Sequence, residues 1–158
     1  MNEDLQSLLN YAFFFLKFRP RTVKETRDYL YKKIVNKHWS RDDVEKVIEH
    51  LLEQKFLDDQ EFVRYLVESR TKTKAKGVFA IKQELSKYGV EKELIDEYFA
   101  KTEINEEALA EKALSSRWPR FKNLPPKKRF EKAMSFLLRR GFNFETSKKT
   151  FEDLINKE

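Results

Sequence analysis

The feature that most constrains this chain is an internal register of 52 residues. Sliding the middle of the sequence by that amount places Leu85 on Leu137, Gly89 on Gly141, Val90 on Phe142 and Phe99 on Phe151. The match covers a helical stretch, its glycine stop and the anchor of the next helix, so one supersecondary unit occurs at least twice. In the first third, Leu30, Trp39, Val44 and Ile48 take the places of Leu85, Val90, Ile95 and Phe99 once four residues are inserted between Leu30 and Trp39. Ile34 stands there where the other two units have glycine, so a longer turn is expected after it.

Each unit reads as three helices. A first helix is expected over about residues 4–17. Thr22-x-x-Glu25 forms a capping box behind Pro20 and predicts a helix from Val23. From Ser40 to Gln54 the apolar residues Val44, Val47, Ile48, Leu51 and Leu52 recur at helical spacing, with Ser40 as N-cap. Asp58 opens a fourth helix carrying Phe62, Tyr65, Leu66 and Ser69, which should fade in the stretch 71–74. A helix over Phe79–Tyr88 stops at Gly89, and a short one covers about Lys92–Ala100. The last unit begins near Asn105, is expected to break at Pro119, restarts at Pro125-Pro126, and stops at Gly141 before a final helix. No stretch of period-two alternation intervenes. The expected fold is all-α, three tandem three-helix repeats over residues 4–57, 58–104 and 105–158. Units this small gain by stacking on their neighbours, so an elongated, curved array with a long concave surface is expected.

Composition narrows the functional classes. There is no Cys, which excludes disulfides, thiolate metal sites and a thiol nucleophile. His38 and His50 are twelve residues apart, on a connection and on the polar side of the Ser40–Gln54 stripe, and build no metal or general-base constellation. Asp58, Asp59 and Glu61 read as helix-start carboxylates rather than a cation loop. Walker A, Gly-x-Gly-x-x-Gly and Gly-x-Ser-x-Gly sequences are missing. A protein without catalytic residues, metal or cofactor is therefore expected. The aromatic run Tyr11–Leu16 is too short to span a bilayer and follows acidic residues, so an unexported, cytoplasmic protein is expected. Without a long heptad seam, a monomer is expected.

Charge is unevenly distributed. The overall net charge is +6, and the three successive units carry +2, −1 and +5. Between residues 112 and 140 ten Lys and Arg side chains, among them Arg117, Arg120, Lys122, Lys127, Lys128, Arg139 and Arg140, stand against Glu131 alone. Such a field attracts phosphates or an acidic protein surface.

Four local patterns occur in order along the chain: Arg19-Pro20-Arg21-Thr22-x-x-Glu25, Asp58-Asp59-x-x-Phe62, Lys76-Gly77-x-x-x-Ile81-x-x-Glu84-Leu85, and Leu138-Arg139-Arg140-Gly141-Phe142. Together they resemble the RecX family of recombination regulators, from about residue 6 to residue 156. The sequence departs from the family pattern at the long connection Ile34–His38 and at Val63, where Ala is usual. The resemblance implies tandem three-helix repeats and binding to the RecA recombinase filament, with modulation, usually inhibition, of strand exchange, ATP hydrolysis and coprotease activity. A direct DNA-binding module of helix-turn-helix-like repeats is the alternative, with single- or double-stranded DNA as ligand.

The resemblance supplies no site residues, so candidates come from charge and position. Arg19 and Arg21 flank a proline that holds the chain extended, and either reach a partner's anions or pair locally. Lys72, Lys74 and Lys76 alternate with small polar residues and either track a strand or form a solvated linker. In Arg117-Trp118-Pro119-Arg120-Phe121-Lys122 the aromatics are expected to pack and the bases to face a partner. Lys127, Lys128, Arg139 and Arg140 complete the set. Of Phe13, Phe14 and Phe15, spaced about 100° apart on a helix, one or two should be core and the third should meet the next repeat.

Overall fold

The computed structural model describes residues 1–158 and contains nine α-helices and no strands. In chain order they are α1 (Glu3–Leu16), α2 (Val23–Lys33), α3 (Arg41–Glu53), α4 (Asp59–Lys72), α5 (Val78–Lys87), α6 (Lys92–Lys101), α7 (Glu106–Phe121), α8 (Pro126–Arg139) and α9 (Phe144–Asn156). They pack into two compact units, Met1–Tyr65 with Leu85–Tyr98 and Leu66–Glu84 with Phe99–Glu158, so the helices of the middle repeat contribute to both.

Local chemistry accounts for the helix starts. Thr22 and Glu25 close a reciprocal capping box on α2, and Ser40 does the same with Asp43 on α3. The carboxylate of Asp58 accepts from the N–H groups of Gln60 and Glu61, and Asn2, Asn105 and Asn143 cap α1, α7 and α9. Pro126 opens α8, where its missing N–H costs nothing.

The 52-residue register is repeated bond for bond at the helix ends. Val90 N–H donates to the Leu85 carbonyl at 3.1 Å and Gly89 N–H to the Ser86 carbonyl at 3.0 Å. Phe142 donates to Leu137 at 3.2 Å and Gly141 to Leu138 at 3.0 Å. Both glycines sit at positive φ, +87° and +91°, as this double bond requires. After α2 the longer turn expected from Ile34 forms: Ile34 ends the helix in ordinary helical geometry, and Asn36 takes the positive φ of 62°.

The first unit buries Leu8, Leu9, Ala12, Leu30, Val44, Val47, Ile48, Leu51 and Leu57 in one cluster. The second buries Leu109, Ala110, Ala113, Leu114, Ala133, Phe136, Leu137 and Phe142, with Ala75 from the connection between α4 and α5. At about 1.5–3 kcal/mol for each fully buried large aliphatic side chain, such clusters dominate the drive to fold.

Four local expectations are corrected. Leu52 lies at the border of the α3 stripe and is 41% exposed. On α4 the buried residues are Phe62, Val63, Leu66 and Val67, while Tyr65 is exposed and Ser69 half-buried, because the packed face is centred one residue later than the aromatic spacing suggests. α7 does not break at Pro119: the proline falls in the last turn, and Lys122 N–H still donates to the Trp118 carbonyl at 2.9 Å. Trp118 packs edge-on against Phe151 and Phe121 against Phe136, which holds that turn helical. Phe13 meets Phe56 and Phe15 stacks on Tyr29, but Phe14 does not meet another repeat; it is 55% exposed and touches Phe18.

Candidate partner-binding surface

The candidate cations fall into two classes according to whether a carboxylate faces them. Arg19 is in the first class. Its guanidinium is hydrogen-bonded to both oxygens of Glu25 and to the Pro20 carbonyl, and lies over the Tyr88 ring. The Glu25 hydrogen bond raises its pKa. Lys76 joins it, with Nζ 3.3 Å from Glu84, a carboxylate that also receives Arg70. Of the two readings kept open for Arg19, local pairing is the one the geometry shows.

Arg21 differs. Its Nε donates to the Phe15 carbonyl at 3.1 Å and its guanidinium lies 4.0 Å from the Phe15 ring centre. Burial and the neighbouring Arg19 lower its pKa. It borders a groove with Phe56 and Tyr65 that also carries Asp58 and Glu61.

The largest gathering of cations is in the second unit, where α7 and α8 border two adjoining grooves. One, of about 440 Å³, presents Arg117, Arg120, Lys128, Lys132 and Arg139, with Glu131 as its carboxylate. The other, of about 350 Å³, presents Lys74, Lys112, Arg117, Arg120 and Arg140, and no acidic side chain borders it. Arg117 and Arg120 belong to both. Their helical spacing of three residues on α7 sets them side by side.

Arg140 is the best fixed of these groups. Its Nη1 donates to the Ala75 carbonyl at 3.1 Å and its guanidinium rests 4.7 Å from the Phe136 ring centre. Arg117 approaches the same ring at 5.2 Å. Burial, then the charge of Arg117, lowers the pKa of Arg140. Lys112 is tied to the end of α4, just before the connection that carries Ala75, its Nζ donating to the carbonyls of Thr71 and Lys72 at 3.2 and 2.7 Å. Arg139 is held by Ser135 Oγ at 2.8 Å.

Of the residues singled out in the sequence, the structure therefore brings together Lys74, Arg117, Arg120, Lys128, Arg139 and Arg140. Lys122 and Lys127 are exposed but border neither groove, and exposed Lys72 contributes its carbonyl. Lys112 and Lys132 were missed as site residues. Their signal was membership of the 112–140 charge run, but only the fold shows which members of that run share a groove. No three His, Asp or Glu side chains converge as metal ligands, and no helix is long and apolar enough to cross a membrane.

Comparison with known proteins explains the repeat. Residues 58–98 match the model of the second three-helix domain of RecX, and residues 105–151 match that of the third, together more than half of the chain. The chain belongs to the RecX family. Among RecX relatives, the regulatory protein RecX of Streptococcus thermophilus is 32% identical over 146 residues, covering 92% of this chain and 54% of the relative. That of Streptococcus mutans is 26% identical over 146 residues with the same coverage. The chain thus spans about half the length of the curated RecX relatives it matches. The crystal structure of RecX from Lactobacillus salivarius superimposes with a TM-score of 0.75 at 21% identity, covering 98% of both chains. A second crystal structure of a regulatory protein RecX gives 0.74 at 23% identity over 94% of this chain and 73% of that one. At these identities the likeness is one of fold.

Proposed function

We propose that this chain is a non-enzymatic, cytoplasmic regulator of a RecA-type recombinase, acting as a monomer that binds along the recombinase–DNA filament and lowers its ATPase, strand-exchange and coprotease activities. RecX family membership supports this reading, and one structural observation carries it: the α7–α8 surface gathers eight Lys and Arg side chains around two grooves against the single carboxylate of Glu131. A surface of that kind is matched by an acidic protein face or by nucleic-acid phosphates, and a recombinase filament on DNA offers both. Inhibition follows if the chain binds one filament state more tightly than another.

The groove without an acidic residue also favours a second reading, a module that binds DNA directly. The two are separated by titrating the protein into recombinase preassembled on single-stranded DNA with ATP, with anisotropy of the same labelled DNA alone as the parallel channel. Suppression of ATPase well below the concentrations that bind naked DNA is expected. Tight, steeply salt-dependent DNA binding without suppression would establish the second reading instead.

A further inference from the structure

The groove bordered by Lys74, Lys112, Arg117, Arg120 and Arg140 is distinguished from the other grooves described by what it lacks. The one beside it contains Glu131, the one near Arg21 contains Asp58 and Glu61, and one between α7 and α9 contains Glu107, Glu111 and Asp153. We propose that this groove is a receptor for phosphate groups, occupied by at least two of them at once. It does not depend on the recombinase reading, because the affinity belongs to this chain alone.

Three observations converge on that ligand. First, five cations border one groove of about 350 Å³ with no acid among them. A single carboxylate neutralises one charge, whereas linked phosphates bring several into the same volume. Second, two of the cations are pre-positioned. Lys112 spends two of its three ammonium protons on the carbonyls of Thr71 and Lys72, and Arg140 is fixed by the Ala75 carbonyl and the Phe136 ring. Both keep donors free, so little side-chain entropy remains to be lost when an anion arrives.

Third, Arg117 and Arg140 are held over one aromatic ring although the charge of Arg117 disfavours that of Arg140. The lowered pKa of Arg140 reflects its burial and Arg117. An anion between them removes that repulsion, and a guanidinium fork matches phosphate oxygens two at a time. Ala113 and Ala75, both buried, floor the groove and leave room for the ligand where a longer side chain would fill it.

Linked phosphates come either as a free oligophosphate or as a nucleic-acid backbone, and two probes distinguish them. Tripolyphosphate would be titrated by calorimetry, and a labelled short oligodeoxythymidylate by anisotropy, into the wild type, Arg117→Gln/Arg120→Gln and the charge-matched control Lys32→Gln/Lys148→Gln, whose residues are exposed and outside every groove described. Helical circular dichroism checks each fold. Binding of tripolyphosphate that falls about tenfold or more in the Arg117/Arg120 variant, but not in the control, supports the site with an oligophosphate as ligand. Oligonucleotide binding alone, with the slope of log affinity against log salt reduced by about 1.4 in that variant, supports it with a strand as ligand, at roughly 0.7 per phosphate. No binding of either probe overturns the proposal, and so does an equal loss in the control.

Discussion

The N–H of Gly77, just ahead of α5, donates to the carbonyl of Arg140 at the end of α8 at 2.7 Å. The same junction occurs one repeat earlier in another chemical form. There the hydroxyl of Thr22, just ahead of α2, donates at 2.6 Å to the carbonyl of Tyr88, which is 52 residues before Arg140. A second bond accompanies each. Val23 N–H donates to Asp59 at 3.0 Å, and Val78 N–H to Glu106 at 2.7 Å, so the first residue of the next repeat's first helix supplies a carboxylate to the start of the helix behind it. In the third repeat Pro125-Pro126 stands in this place, with no N–H to offer.

Gly77 is needed at that crossing for space. A Cβ there would lie 2.3 Å from the Gly141 carbonyl oxygen, a backbone atom that cannot swing aside. Gly77→Ala is expected to destabilise the protein by about 1–3 kcal/mol, the usual cost of overpacking, although glycine-to-alanine changes often stabilise where the backbone allows. Thermal unfolding followed at 222 nm measures it. An unchanged or higher midpoint would show that the helices separate at no cost.

Asp59 makes the equivalent junction sensitive to pH. Burial raises its pKa, and this outweighs the lowering effect of the bond from Val23. An acid whose pKa is higher folded than unfolded favours folding most below its ordinary 3.8, and that contribution is lost as pH rises through the folded value. Asp59→Asn keeps an acceptor for Val23 and removes the ionisation. Its stability relative to wild type is therefore expected to improve between about pH 3 and pH 7. Urea unfolding at both pH values tests this, and a constant difference would contradict it.

Glu84 behaves in the opposite sense. Burial would raise its pKa, but the hydrogen bonds and charges of Arg70 and Lys76 together hold it below the ordinary 4.5. Its stabilisation is present above that value and is lost as pH falls through the depressed one. Glu84→Gln is expected to lower stability by about 1–3 kcal/mol at pH 7, since two cations lose a half-buried partner. The gap to wild type should close in acid; a gap that persists at pH 3 would show the contribution to be steric.

For the partner surface, reversing Arg117, Arg120, Lys127 and Lys128 to Glu is expected to weaken partner binding by about tenfold or more while leaving helical circular dichroism intact. Arg117, Arg120 and Lys128 border the grooves and Lys127 is exposed outside them, so none of the four belongs to the buried core. Unchanged filament and DNA binding by this variant would remove the α7–α8 surface from the proposed function.

Much of the fold was legible because it is written in short-range chemistry. Thr22-x-x-Glu25, Ser40, Asp58 and the glycine stops at 89 and 141 each act within four or five residues of themselves, and each formed as read. Pro119 misled because whether a proline ends a helix depends on what packs beside it, here Trp118 on Phe151 and Phe121 on Phe136. Tyr65 and Ser69 misled on α4 for a related reason: Val63 and Val67 fit the packed face equally well by spacing, and the burial of the neighbouring helices selected them.

By itself, then, the sequence determined the helices, their capped and glycine-stopped ends and the 52-residue register, though not the end of α7, because caps, stops and apolar periodicity are local properties of a chain. The tertiary structure alone decided which cations are spent and which are available. Arg19 and Lys76 look no different in the sequence from Arg117 and Arg120, yet folding sets Glu25 and Glu84 against the first pair and leaves the second pair between a groove with no carboxylate and one that carries Glu131 alone. Charge pairing depends on distance in space, and residues such as Arg140 and Ala75, 65 positions apart, meet only once the repeats have packed.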